Sequence, residues 1–277
     1  MSVYKYKLFS PGGNDTALVF GVETDIEKRR SIQDEILSKH TNVEQVGFIN
    51  EESSDPYLTM TGGEFCGNAT RTAVWHYLNG SHGEITIRVS TSTEGDETLL
   101  KAGVCKETHE AWTSIPVCSD AKEVVKDKGD GLYWVQLDGI SHLIVLQRRS
   151  DAIFRELGTF VDKEGLKAYA NNLARAYNLD NVDAYGVIFT ENVLDMIKIH
   201  PCVFIKTAGT SYYETACGSG TVAAGLVASV LKGHGTNLTW LQPSGKFIQS
   251  SVEYQDGKII GAKISGNVSS ISDVLEG

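Results

Sequence analysis

Gly63-Glu64-Phe65-Cys66-Gly67-Asn68-Ala69-Thr70 and Tyr213-Glu214-Thr215-Ala216-Cys217-Gly218-Ser219-Gly220-Thr221 are two versions of one pattern, with their cysteines 151 positions apart. Each sets a cysteine and a glycine at the mouth of what reads as a helix, with an N-cap type of residue two places on (Asn68, Ser219) and a threonine four places on (Thr70, Thr221). The start of a helix presents N–H groups without intrahelical acceptors and the positive end of the dipole, so it can hold a carboxylate and stabilise a thiolate together. Two such ends facing one another would hold an amino acid between two thiols. That arrangement suits moving a proton from one face of a carbon to the other.

Outward from these stretches the chain reads as two halves of similar plan. In the first, a strand over Tyr4–Phe9, a Ser10-Pro11-Gly12-Gly13-Asn14 turn and a strand over Thr16–Val22 lead to a helix from Asp25 to about His40, with Ile26, Ile32, Ile36 and Leu37 as its apolar positions. Short strands reach Cys66, and the helix behind it runs to about Leu78, where Asn79-Gly80 closes it. Ile85–Val89 alternates like a strand, and Pro116–Lys128 is charged and irregular, which marks a domain boundary.

In the second half, strands over Leu132–Leu146 surround Gly139-Ile140-Ser141-His142, and a helix near Lys163–Asn178 points Leu166, Tyr169, Ala170, Leu173 and Tyr177 inward. Strands at Tyr185–Phe189 and Ile197–Ile205 precede Cys217. Val222–Leu231 is apolar or small all round and should be buried on every side, as inside a curled sheet. The tail is strand-like, with a hairpin at Asp256-Gly257.

Composition narrows the function. The formal charge of −10 from 25 basic and 35 acidic residues argues against nucleic acid or an anionic membrane as a partner. Met1-Ser2-Val3-Tyr4-Lys5-Tyr6 lacks the apolar core of a signal peptide. Five cysteines without C-x-x-C spacing suit a reducing cytoplasm better than a disulfide framework or a zinc site. The expected partner is a small-molecule amino acid, with no cofactor, no metal ligand among the seven histidines, and a homodimer allowed.

Both cysteine motifs, in this order, resemble those of the diaminopimelate epimerase superfamily of cofactor-independent, two-cysteine racemases. Pro11-Gly12-Gly13-Asn14-Asp15 is similar to that family's Gly-Asn-Asp opening, Gly139-Ile140-Ser141-His142 stands where it has Gly-Asn-Pro-His, and Gln242-Pro243-Ser244-Gly245 is similar to its late Pro-Gly-Gly turn. The resemblance implies an α/β fold of two similar domains, each a mixed sheet rolled around a central helix, with the active site in the interdomain cleft. The limits expected are 1–118 plus 263–277 for one domain and 119–262 for the other. It implies Cys66 and Cys217 as catalytic acid and base, with the backbone at Gly67-Asn68 and Gly218-Ser219 receiving the substrate carboxylate.

Substrate choice follows from two departures. Thr207–Ala216 contains no arginine, and Ile140 replaces the asparagine, so the second carboxylate of diaminopimelate would be buried unpaired. Glu44-Gln45-Val46-Gly47-Phe48, together with both cysteine stretches and Gln242-Pro243-x-Gly245, is more similar to histidine racemases of opine-metallophore pathways. That likeness implies conversion of L-histidine to D-histidine, with Asn14, Glu44, Gln45 and His142 beside the substrate; Glu214, three residues before Cys217, is a further candidate for the substrate ammonium, and Tyr185, Tyr212 or Tyr213 for its imidazole.

Each assignment has a plainer counterpart: a turn residue for Asn14, a solvated charge for Glu44, a helix-dipole partner for Glu214, packing for the tyrosines and inert burial for Cys105, Cys118 and Cys202. Rival readings are a diaminopimelate epimerase or a racemase of another amino acid, a nucleotide loop at Gly218-Ser219-Gly220, which lacks the lysine of a phosphate loop, a phenazine-type isomerase sharing the fold, and a non-catalytic amino-acid-binding or thiol-redox protein.

Overall fold

The structure, a computed structural model, describes residues 4–51, 54–91, 95–157, 162–206 and 209–277. Met1-Ser2-Val3 of the signal-peptide reading and residues 207–208 of the arginine-free stretch lie outside these. The chain divides into two compact units, Met1–Ile115 with Ile264–Gly277, and Pro116–Lys263. The first crossing falls three residues before the expected limit and the second one residue after it.

The first unit contains β1 (Lys5–Ser10), β2 (Asp15–Phe20), α1 (Ile26–Lys39), β3 (Val43–Ile49), β4 (Tyr57–Met60), α2 (Gly67–Tyr77), β5 (Gly83–Ser90), β6 (Glu97–Val104) and β7 (Ala111–Ser114). Its ladder is mixed: β1–β2, β3–β4, β5–β6 and β6–β7 are antiparallel, β2–β3 and β4–β5 parallel. One face carries α1, whose Ile36 packs with Tyr6, Leu8, Val19, Val46 and Phe48. Around α2 lie β2, β4, β5, β6 and β7, and every residue from Gly67 to Val74 is buried. The sheet is therefore covered on both sides, which explains runs such as Ala17-Leu18-Val19 that are buried without alternation.

The second unit contains α3 (Ala121–Val124), β8 (Val125–Gly129), β9 (Leu132–Leu137), β10 (Ile140–Val145), α4 (Gln147–Leu157), α5 (Lys163–Ala176), β11 (Ala184–Val193), β12 (Met196–Ile205), β13 (Thr210–Tyr213), α6 (Gly218–Lys232), β14 (Thr236–Leu241), β15 (Phe247–Gln255) and β16 (Lys258–Gly266), the last three residues of which enter the first unit. Short strands β17 (Ser269–Ser270) and β18 (Leu275–Glu276) then pair with β1. The plan of the first unit recurs. Strands β8, β9, β10, β11, β14 and β15 pack around α6, while Leu166, Ala170 and Leu173 of α5 and Ile153 of α4 cover the other face of the sheet.

Three expectations need correction. Pro116–Lys128 holds α3 and β8 rather than irregular chain, because Asp120 caps a short helix by accepting from the Lys122 N–H. Helix α4 was not foreseen in Gln147–Leu157, whose arginines mask the two residues that carry its buried face, Ser150 and Ile153. Leu231, expected inside with the rest of α6, is 53% exposed in the last turn of that helix. The Asp256-Gly257 hairpin lies between β15 and β16 with both residues at positive φ, as a two-residue turn of this type requires.

Candidate active site

The two cysteine helices begin identically. Cys66 (φ −131°, ψ 111°) and Cys217 (φ −129°, ψ 108°) are themselves the N-cap residues, two places before the Asn68 and Ser219 expected in that role. Each sulfur accepts from the N–H three residues on, Ala69 at 3.5 Å and Gly220 at 3.3 Å. The threonine four residues on returns its hydroxyl to the cysteine carbonyl, Thr70 at 2.8 Å and Thr221 at 2.6 Å. A sulfur capping a helix faces the positive end of the dipole, which favours its thiolate.

The first unit surrounds Cys66 with amides. The Cys66 thiol donates to Gln45 Oε1 at 3.0 Å, and Gln45 Nε2 donates to the Thr16 hydroxyl at 2.7 Å, itself bonded to the Asn14 carbonyl. Asn14 Nδ2 donates to Glu44 at 3.0 Å, and Asn68 Nδ2 to Asn14 Oδ1 at 3.4 Å. Adjacent strand residues normally face opposite ways. Here the β2–β3 register shifts between Asp15/Val43 and Thr16/Gln45, which leaves Glu44 unopposed. The bulge breaks the alternation, so Glu44 and Gln45 both serve this cluster. Asn14 sits at φ 55° after Gly12 and Gly13, a backbone that asparagine tolerates better than most residues.

The second unit treats Cys217 differently. Burial first, then the Glu214 carboxylate through its charge and a hydrogen bond, push the thiol well above its ordinary value, against weaker opposing bonds from Ser219 and Gly220. Ser219 Oγ lies 3.5 Å from the sulfur and 2.9 Å from His142 Nε2. Burial lowers His142 to about 3, so at neutral pH an uncharged ring orients Ser219. Gly186, its partner across the β10–β11 ladder, makes room for it, because a Cβ there would collide with His142 Nδ1. Gly220 does the same at the cap: a Cβ would come 2.6 Å from Ile188 and 3.1 Å from the Cys217 sulfur.

Several contributors escaped the residue-by-residue reading. Gln242, noticed only as part of a turn motif, is fully buried; it accepts from the Cys217 N–H at 3.0 Å and donates to Thr221 Oγ1 at 3.1 Å. Gln242→Ala should lower unfolding stability by about 1–3 kcal/mol by stranding that buried N–H, measurable by urea denaturation; an unchanged midpoint would refute this role. Thr16, Gly186 and Arg71 also went unmarked, although an arginine in an otherwise small and buried helix face was a visible signal.

The tyrosines divide. Tyr185 is buried, stacked on Phe204 and bonded to Asn171, and Tyr213 bonds His200, which also meets Glu191. Tyr212 is exposed. Cys105, Cys118 and Cys202 are free thiols, with Cys202 buried and raised to about 12, first by burial.

Solved structures share this architecture. A hydroxyproline epimerase from Agrobacterium vitis with bound trans-4-hydroxy-L-proline matches with a TM-score of 0.63 at 12% identity, over 99% of this chain and 92% of that one. A phenazine biosynthesis protein of the PhzF family from Enterococcus faecalis matches at 0.57 and 16%, over 100% and 99%. Such distant likeness defines the fold class alone.

Sequence comparison goes further: residues 4–273 match the model described as the histidine racemase CntK N-terminal domain, and the chain belongs to that family. A histidine racemase from Fusobacterium nucleatum is 27% identical over 270 residues, 94% of this chain and 95% of that protein. The chain is an isomerase of the amino-acid racemase class. Among the described residues no helix is long and apolar enough to cross a membrane.

Proposed function

We propose that this racemase interconverts L- and D-histidine through Cys66 and Cys217, one acting as thiolate base and the other as thiol acid. The observation that carries the reading is the pair of matching cysteine-capped helices in a chain of this family. An α-proton is very weakly acidic, and each unit of pKa mismatch with the base costs about 1.4 kcal/mol. A thiolate cannot close that gap alone.

Stabilisation of the enolate-like carboxylate supplies the rest, and first-turn N–H groups at Gly67-Asn68 and Gly218-Ser219 are its donors. One sulfur takes the proton from one face of Cα and the other delivers a proton to the opposite face, which leaves the pair exchanged and ready for the reverse reaction. Gln45 suits both states of Cys66: its Oε1 accepts from the thiol, and with the amide turned over its Nε2 donates to the thiolate. Asn14 and Glu44 hold the polar side of the substrate, with Glu44 or Glu214 meeting the ammonium. A single-carboxylate substrate agrees with Ile140 at the position where diaminopimelate enzymes place an amide.

Incubation with either enantiomer of histidine in deuterium oxide should replace the Cα proton while the other enantiomer accumulates, as read by proton NMR and chiral chromatography. Folded protein that leaves the histidine Cα–H intact refutes the substrate. Exchange into a different amino acid, when all twenty and diaminopimelate are compared, reassigns it.

A further inference from the structure

The residue two places after each cysteine is held by a different device. Ser219 meets His142 on β10, whereas Asn68 is held from its own helix by Arg71. Arg71 is fully buried; its Nη2 donates to the Pro11 carbonyl at 3.0 Å and to Asn68 Oδ1 at 2.9 Å, while Nε and Nη1 have no hydrogen-bond partner among the described residues. Burying a guanidinium on so few acceptors is costly, and filling space does not require it. At the matching position on α6, five residues after Cys217, the buried residue is Val222.

The contacts of Nη2 impose a direction. A guanidinium only donates, so Asn68 turns Oδ1 toward Arg71 and Nδ2 toward Asn14 Oδ1, at 3.4 Å. Asn14 then turns Nδ2 toward Glu44 Oε2, at 3.0 Å. A carboxylate only accepts, so both ends of the chain demand the same sense from two amides that could each face either way. Arg71 also holds the Pro11 carbonyl, where the turn through Gly12 (φ 86°), Gly13 (φ 103°) and Asn14 (φ 55°) begins. The contacts of Cys66 form a separate branch, because Gln45 and Thr16 lead to the Asn14 carbonyl and not to its amide.

We propose that Arg71 is a positioning residue that sets the sense of the hydrogen bonds from Asn68 through Asn14 to Glu44, and so fixes the polar groups that meet the substrate. Its meaning for the substrate rests on the proposed role of Asn14 and Glu44, but the direction itself is tested without any substrate.

In nitrogen-15-labelled protein, the side-chain amide signals of Asn14 and Asn68 are assigned by their loss in Asn14→Asp and Asn68→Asp, and their exchange with deuterium oxide is timed by NMR. Arg71→Met should speed exchange at Asn14 about tenfold while the backbone amides of α2 keep their protection, and Arg71→Lys, which still donates, should restore most of it. Asn68→Asp gives Arg71 a better acceptor but takes away the donor to Asn14, so exchange at Asn14 should rise there too although the buried cation is satisfied. With the amino acid that the deuterium experiment identifies, Arg71→Met should raise KM about tenfold and change kcat less than about threefold, since the Gln45 and Thr16 branch is untouched.

Met and Lys variants that behave alike would show that Arg71 only fills space, and this overturns the proposal. So does an Asn68→Asp protein in which Asn14 stays as protected as in the wild type, a result available even if Arg71→Met fails to fold. Exchange that follows these expectations in a protein that leaves every tested amino acid unchanged keeps the direction of the chain and removes only its link to the substrate.

Discussion

Under the proposed two-cysteine mechanism, Cys217→Ala should lower histidine racemisation by about 10³-fold, and Cys66→Ala by a similar factor, because each change would remove a proton-transferring group from one face of the carbon. The measurement is polarimetric or chiral-chromatographic turnover in both directions. Loss of one sulfur also removes one helix cap, Gly220 N–H to Cys217 or Ala69 N–H to Cys66, which costs about 1 kcal/mol and leaves the fold intact by circular dichroism. Activity loss with preserved structure thus separates chemistry from stability. If the two sulfurs act as one unit, as proposed, the double variant should be little worse than either single one. Near-normal turnover in both single variants would reject the thiol pair and leave the isomerase class in need of another base.

Acid should destabilise the protein through His142. The ring is fully buried and held at about 3, against 6.5 for an ordinary histidine. Between those values the unfolded chain binds a proton that the folded chain refuses, so stability rises with pH through the window and is lost as pH falls below about 6.5. From pH 7 to pH 5 this one group accounts for about 2 kcal/mol.

His142→Gln, which keeps a polar group facing Ser219, should lose that part of the dependence. Burial also lowers His76 and His200, but they remain in both proteins and cancel in the comparison. Urea denaturation of both proteins at pH 7 and pH 5 measures the difference, and equal losses on acidification would show that His142 is not the group excluded from protonation. A neutral His142 also implies that Ser219 keeps its orientation across neutral pH.

The comparison of Cys66 with Cys217 shows where local sequence stops being informative. Glycine after each cysteine and threonine four residues on were enough to recognise two helix starts. Yet the cap itself is the cysteine, because a sulfur can accept from the N–H three residues on and leave the side chains of Asn68 and Ser219 to face other groups. Helix α4 was lost to the sequence reading for a related reason: Arg148, Arg149 and Arg155 crowd a segment of which only Ser150 and Ile153 are buried. The buried runs of β2 and β11 read as strands of no fixed face, and only packing shows that helices cover both sides.

Sequence alone determined that a helix begins beside each of two cysteines in two similar halves, since helix starts and apolar periodicity are local properties that spacing expresses directly. It also carried the likeness to two-cysteine racemases, which depends on residue order. What tertiary structure decided is the surroundings of each sulfur: Gln45 and Glu44 brought to one side by a bulge, Gln242 reaching back to the Cys217 N–H, and His142 admitted by Gly186. Packing and hydrogen bonds act through space, so residues far apart in the chain set the surroundings of the two sulfurs, and no spacing rule records that.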